Sequence, residues 1–518
     1  MKYWLFLLSI LFIFIGNTKA QKFDQDLNNI QVTWQLINSF YVDSIDRSDF
    51  AEEIIRSMLS SLDPHSVYIP ADEVKEANEA LNGNFEGVGI EFLILKDTLT
   101  VISTINGGPS EKVGIRSGDR ILFINGEKVA SVGINSEDVY AMLRGRKGTE
   151  VDFTIVRRGE DKMLDFSVVR DEVPIPSIEA AYMADATNGY IKISRFAANT
   201  HKEFYDVLKK LKKDGMENLI LDLRGNTGGY MSSALAILDQ FLDRGQLMVY
   251  TKGAALSRRD HKATSKGLWM DGGLVVLIDE NSASASEIVA GAIQDWDRGA
   301  IVGRRSYGKG LVQRPFTLTD GSEVRLTIAK YYTPSGRCIQ KPYSDDKDSY
   351  KREVFDRYTH GELWNKDSIH VDETHKYKTL VLGRTVFGGG GIQPDFFVPL
   401  DTTGYSDYYR DLVVNGVLSS VALDFYNNNE AQWKDVKSFI RDFVVDDALM
   451  AQVQKEASMI GLTIDTEADN LIALRLKALI ARNLWGNSAY YEIINPTVGA
   501  YQKAIQLFAD NNEELVHP

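Results

Sequence analysis

The spacing of apolar positions changes several times along this chain. Between about residues 23 and 81, Ile30, Trp34, Ile37 and Tyr41 recur at helical intervals, and Asp63-Pro64-His65-Ser66 separates two helical pieces. From Gly83 to about Arg170 the texture becomes that of short strands. Thr98 to Ile105 alternates, Arg120 to Ile124 runs into an Asn125-Gly126 hairpin signal, and Glu150 to Val156 is a further strand. One helix, Ser136 to Leu143, interrupts them. From Asp171 to Leu400 strands and helices alternate: Leu219 to Leu223 and Leu274 to Ile278 read as buried strands, Tyr230 to Leu242 and Ile288 to Trp296 as helices. That order predicts a helix-covered sheet with functional loops at the strand ends. Lys341 to Lys378 is charged, rich in Tyr and His, and reads as an insertion or long surface loop. Beyond about Asp401 the pattern is helical again.

Composition narrows the setting. Lys2, the apolar run Tyr3 to Ile15 and Thr18-Lys19-Ala20 form a secretory leader, 1–20, that predicts export, with the periplasm as the destination. The net charge is −14, and loss of the leader with Lys2 and Lys19 makes it more negative. Such an acidic chain lacks the clustered cations that nucleic acid or an anionic membrane requires. Cys338 is the only cysteine, so no internal disulfide forms and each domain must rely on its own core.

The chemistry lies in two segments. Asn281-Ser282-Ala283-Ser284-Ala285-Ser286-Glu287 is a small-residue turn between the Leu274 to Ile278 strand and a helix, where a hydroxyl stands beside free helix amides. Gly308-Lys309-Gly310-Leu311-Val312-Gln313 places a lysine between glycines. A desolvated lysine loses its proton readily and can act as the base a serine nucleophile needs. Ser284 and Lys309 read as a serine–lysine pair, and none of the seven histidines falls in either segment. Ser282 and Ser286 compete with Ser284 on chemistry alone. Glu287 reads as a helix-start residue favoured by the macrodipole. The loop Arg224-Gly225-Asn226-Thr227-Gly228-Gly229 follows a strand and can aim backbone N–H groups at an anion, either a phosphate or a tetrahedral oxyanion. Gly303 to Lys309 matches most of a phosphate-binding loop, but Gly310 replaces the magnesium-binding hydroxyl and an extended segment follows, so nucleotide binding is rejected.

Gly87-Val88-Gly89-Ile90, Gly108 to Ile115, Ser117 to Leu122 and Ile124-Asn125-Gly126 occur in the order found in PDZ domains, which this stretch resembles. The resemblance implies that Gly87, Val88, Gly89 and Ile90 receive a terminal carboxylate while the peptide adds a strand. Arg144, just after the Ser136 to Leu143 helix, is a candidate for signalling occupancy to the next domain.

The whole set resembles the C-terminal processing, or tail-specific, proteases of the serine–lysine S41 class. The resemblance is carried by Leu221 to Gly229, Ser282 to Glu287, Gly308 to Gln313, Thr327 to Tyr332 and Gly391-Ile392-Gln393-Pro394-Asp395. It implies Ser284 as nucleophile, Lys309 as base and Gln313 as the residue orienting the lysine. It also implies an oxyanion hole from the Ala285 amide with that of Gly228 or Gly229. Thr227 departs from the proline usual in the family.

The expected architecture is multidomain α/β: an N-terminal helical region (21–82), an α+β PDZ domain (83–172), a crotonase-like α/β serine protease domain (173–400) and a helical C-terminal extension (401–518). The expected partners are protein or peptide substrates with free C-termini, without metal, nucleotide or other cofactor. An adaptor or a second copy of the chain could bind the extension. A crotonase-like acyl-CoA enzyme is disfavoured by the leader, and a non-catalytic PDZ scaffold by the intact Ser284, Lys309 and Gln313.

Overall fold

The computed structural model describes residues 25–264, 267–343, 347–370, 372–429 and 432–510. The leader expected at 1–20 lies outside them. Among the described residues no helix is long and apolar enough to cross a membrane.

Two compact units are present, and the smaller holds the described residues up to Ala71 together with Pro315–Leu326. Its first helix spans 25–40, and Trp34 stacks on Phe50 with ring centres 5.6 Å apart. Ile30 and Tyr41 stay exposed, so only part of the predicted apolar face is covered. The second helix, Arg47–Ser60, starts on the Asp46 carboxylate, which accepts from the amides of Ser48 and Asp49. Asp63 then accepts from the amides of His65 and Ser66 and from the Ser66 hydroxyl, which turns the chain into the strand Val67–Ile69.

The larger unit contains the remaining domains. Asn84–Gly87 and Asp171–Pro174 pair antiparallel where the chain enters and leaves the strand-rich region. Between them lies a six-stranded sheet that includes Ile90–Ile94, Leu99–Thr104, Arg120–Ile124 and Glu150–Val156. Asn125 and Gly126 both have positive φ, 52° and 79°, as a two-residue hairpin turn requires.

The second sheet follows the order Ile178–Met183, Asn188–Ile193, Asn218–Asp222, Gly273–Ile278, Ala300–Gly303, Phe396–Phe397. Its first pair is antiparallel and the rest are parallel. Gly273–Ile278 is buried throughout, which explains its unbroken apolar run, and Asn188–Ile193 is buried throughout although it carries Asn188 and Lys192. One face is covered by the helices Thr200–Lys213, Met231–Leu238 and Ala285–Asp295, through residues such as Phe204, Ile237 and Val289. The other face is covered by Gly499–Ala509, whose Tyr501, Ala504, Leu507 and Phe508 pack on Tyr190, Ile220, Val275 and Val302. By sequence alone this helix belongs to an extension that could bind an adaptor or a second copy, whereas in the structure it covers a face of the sheet that carries the candidate site. The other C-terminal helices share their own core around Leu412, Val421, Phe439, Val453 and Leu476.

The surface-loop reading of 341–378 is also corrected. This stretch contains the helix Lys347–Thr359, with Tyr350 and Arg357 buried. Its inward side is aromatic and charged, so no apolar period announced it.

Candidate active site

Ser284 stands at the N-terminus of the Ala285–Asp295 helix with φ 53° and ψ −108°. L-residues avoid this backbone region, and its use here is that of a sharp strand-to-helix turn presenting a side chain. The three neighbouring serines have different environments. Ser282 Oγ is buried, donates to the Leu223 carbonyl at 2.8 Å and accepts from the Asp279 amide. Ser286 Oγ is buried and donates to the Asn226 carbonyl at 2.8 Å. Ser284 alone of the three is partly exposed.

The glycine loop abuts this turn. Gly228 and Gly229 have φ of 105° and 140°. A Cβ on Gly228 would lie 2.8 Å from that of Ser284, and one on Gly229 would lie 2.2 Å from the Phe196 carbonyl oxygen, so neither position admits a side chain. Asn226 organises the loop: its Nδ2 donates to the Ile193 carbonyl, and its own carbonyl accepts from the Ala283 amide. Its Oδ1 accepts from the Gly228 amide at 2.9 Å. Gly228 N–H is therefore engaged. Among the described residues the amides of Gly229 and Ala285 have no hydrogen-bond partner. Thr227 is exposed.

Behind the loop, buried Asp222 accepts from Arg224 and from the Tyr190 hydroxyl, and Lys192 Nζ donates to the Arg224 carbonyl at 2.8 Å. Burial opposes the charge on Asp222, but Arg224 and Lys192 outweigh it and hold the carboxyl well below the usual range.

Glu287 does far more than start a helix. It is fully buried, and its Oε2 accepts from the amides of both Ser284 and Lys309 at 2.8 Å each. Its Oε1 accepts from the Gly308 amide at 2.7 Å and from the Ser306 hydroxyl at 2.6 Å. Burial pushes its pKa up, and these donors pull it back without cancelling the rise. The Tyr331 hydroxyl forms a second junction, 2.6 Å from the Lys309 carbonyl and 3.0 Å from that of Ser284. One carboxylate oxygen and one hydroxyl thus tie the serine and lysine backbones together. Lys309 Nζ donates to Gln313 Oε1 at 3.0 Å. Sequence reasoning missed Asn226 and Tyr331 as organisers, and it saw only the local half of Glu287. The Ser284-x-x-Glu287 capping-box spacing was the available signal for that half.

In the strand-rich domain, Gly89 has φ 76°. The carbonyls of Val88 and Gly89 accept from Ser110 and Ile105, whereas among the described residues their amides have no partner. Gly87 ends the Asn84–Gly87 strand and Ile90 starts the next. Phe92 on that strand meets Tyr140 on the Ser136–Leu143 helix with ring centres 5.2 Å apart. Arg144 pairs with Glu76 and Glu79 of the Val74–Asn82 helix, both at 2.9 Å. That helix reaches the glycine loop's neighbours through the Leu81 carbonyl, which accepts from the Ala198 amide, and through Asn82, which accepts from the Tyr230 hydroxyl at 3.4 Å.

Comparison with known proteins identifies the family. The model of peptidase family S41 matches residues 187–346, and that of the PDZ domain matches 87–168. The chain is 34% identical over 354 residues to carboxy-terminal processing protease CtpB of Bacillus subtilis, covering 67% of this chain and 72% of that protein. It belongs to the carboxy-terminal processing proteases of family S41. A carboxy-terminal-processing protease of Bartonella bacilliformis is 36% identical, with 59% and 71% covered. Among solved structures, the photosystem II D1 C-terminal processing protease is similar, with 28% identity, 59% of this chain and 88% of that chain covered, and a TM-score of 0.35. Residues 15–73 match the "Activating protease CtpB N-terminal domain", and 408–486 match a family of unknown function, DUF8443. The protein is thus a protease in which PDZ and S41 domains share an α/β framework with helical N- and C-terminal regions.

Proposed function

We propose that this protease is an exported, periplasmic serine endopeptidase that cleaves proteins near free C-termini. In it Ser284 is the nucleophile, Lys309 the general base and Gln313 the partner that orients the lysine. The observation that carries the reading is the state of the three hydroxyls: Ser282 and Ser286 are buried and bonded to backbone, while Ser284 is partly exposed on a strained turn. As Ser284 Oγ attacks the scissile carbonyl, neutral Lys309 takes its proton and the carbonyl electrons move onto oxygen. The amides of Ala285 and Gly229 receive that oxyanion, since Gly228 N–H is held by Asn226. Collapse expels the amine, which takes the proton from Lys309 and leaves an acyl-Ser284 ester. Water then attacks the ester, passing a proton to Lys309, and as the C–O bond to Ser284 breaks Lys309 gives that proton to Ser284 Oγ, releasing the acid and restoring the hydroxyl and the neutral amine.

The substrate tail would place its carboxylate on the amides of Val88 and Gly89, within the Gly87–Ile90 loop, and extend along Ile90–Ile94 against the Ser136–Leu143 helix. Arg144, held by Glu76 and Glu79, would report occupancy to the protease domain. The leader-like start of the sequence supports export.

The test is Ser284→Ala, which should fold and cleave nothing, combined with fluorophosphonate labelling of the wild type and peptide mapping of the modified residue. Cleavage by the purified variant, or label on Ser282 or Ser286, would refute the assignment.

A further inference from the structure

Beyond the segment matched by the S41 model, the helix Lys347–Thr359 carries an arginine that the proposed chemistry has not used. Arg357 is 3% exposed. Its Nη1 donates to the carbonyls of Arg305 at 3.2 Å and Ser306 at 2.8 Å, and its Nη2 to that of Tyr307 at 3.2 Å. Its Nε is held by Glu353, one turn earlier, at 2.6 Å. Glu353 also accepts from Lys341 at 2.9 Å, and the Lys341 ammonium lies 3.8 Å from the centre of the Tyr307 ring. Arg305 completes the anchor with a two-toothed pair to Glu362, both bonds at 2.6 Å.

The lysine loop is therefore gripped from two sides. Glu287 takes N–H and O–H donors from Ser306, Gly308 and Lys309, while Arg357 takes the carbonyls of residues 305–307. The loop needs such help: Gly303 and Gly308 have φ of 127° and 91°, and glycine backbone supplies no stiffness of its own. A planar guanidinium holds several fixed carbonyls in a rigid fork of donors, whereas an ammonium on a flexible stem offers fewer donors and no fixed plane.

We propose that Arg357 is a positioning residue for Lys309, fixing the carbonyls just upstream so that the chain delivers the lysine to Ser284 in one direction. The proposal rests on the Ser284–Lys309 reading. A reacting group displaced by about 1 Å costs on the order of 100-fold in rate, so the loop's anchor should be visible in kcat.

Arg298 provides a matched control. It too is buried, and it donates to three carbonyls, those of Phe241, Trp269 and Gly272, but it makes no contact with the lysine loop. Arg357→Met and Arg298→Met should both lower Tm. Only Arg357→Met should lower kcat, by about 10- to 100-fold with KM within about twofold of wild type, and alter the pH dependence of kcat. Arg357→Lys keeps the charge and part of the bonding; it should fold and recover part of the rate, which decides the matter if Arg357→Met does not fold. Equal kcat in the Arg357→Met and Arg298→Met proteins overturns the proposal, as does a wild-type rate and pH profile in Arg357→Lys. Ser284→Ala, assayed beside them, separates the two ideas. Activity there sinks the Ser284–Lys309 reading, whereas its inactivity alongside fully active Arg357 variants sinks only the positioning role.

Discussion

Glu287→Gln tests the junction that holds the site together. The carboxylate receives four donors: the amides of Ser284, Gly308 and Lys309 and the Ser306 hydroxyl. A carboxamide of the same shape keeps one acceptor oxygen and turns an NH2 toward the donors on the other side. At least two contacts are lost, each a hydrogen bond to a charged acceptor worth about 1.5–3 kcal/mol. Burial of the charge is itself costly, as the raised pKa shows, and its removal returns part of that cost. The expected net loss of stability is about 2–4 kcal/mol, close to that of breaking other buried charged contacts. The rate should fall further than stability implies, since the backbones of both Ser284 and Lys309 are released. A loss of about 100-fold in kcat is expected at temperatures where the variant is fully folded. Urea unfolding gives the first quantity, and hydrolysis of an unstructured peptide by the folded fraction gives the second. A variant with kcat within about twofold of wild type and stability within about 0.5 kcal/mol would refute the argument, because that is the range of a surface substitution with no special role.

Lys309→Arg should be as inactive as Lys309→Ala in the same peptide assay, since a guanidinium does not give up its proton in a protein. Asp222→Asn leaves the mostly buried Arg224 guanidinium without the buried carboxylate that pairs with it and should cost about 3–5 kcal/mol near neutral pH. Because the folded-state pKa of Asp222 lies below its ordinary value of 3.8, this contribution is present above that pH and disappears as pH falls through the depressed value. Urea titrations should therefore show the wild-type advantage shrinking below about pH 4. Leu507→Ala, at a fully buried position on the closing helix, should cost about 2–5 kcal/mol and lower Tm, although it lies in the C-terminal extension. If the PDZ loop senses tails, one substrate should be cleaved faster with a free C-terminus than with an amidated or Asp-extended one; equal rates would remove tail sensing and leave the Ser284–Lys309 assignment in place.

Local signals in the sequence were strong where a segment's structure depends on its own pattern. Arg120–Ile124, Glu150–Val156 and Ser136–Leu143 begin and end where alternation or helical spacing does. Ser284 and Lys309 stand out as candidates because a small-residue turn and a glycine-flanked lysine are unusual in themselves. What escaped was whatever a remote segment decides. Gly499–Ala509 is an ordinary amphipathic helix until a sheet built from a distant part of the chain leaves a face uncovered. Lys347–Thr359 turns Tyr350, Glu353 and Arg357 inward, and a helix buried through charges has no apolar stripe to read. The partner of Gly228 N–H could not be known without Asn226 in three dimensions.

The distribution of these missed residues reflects the chemistry proposed for the site. A histidine base is a rigid ring that a single hydrogen bond can orient, but a lysine is an ammonium on four rotatable carbons. Gln313 at 3.0 Å can fix the tip of that stem, yet it cannot fix the root. The root must be held through the backbone, and backbone on a glycine-rich loop is held only by groups that reach it from elsewhere in the fold. Glu287 comes from the nucleophile's own helix, Tyr331 from a neighbouring strand and Arg357 from beyond the core of the domain. Removing any one of them should therefore lower kcat more than substrate binding, and pairs among them should be less than additive, because each acts by fixing the same short stretch of chain. Strict additivity in a double-mutant cycle of Tyr331→Phe and Arg357→Lys would show instead that the loop is rigid without them and that the lysine's stem carries the precision alone.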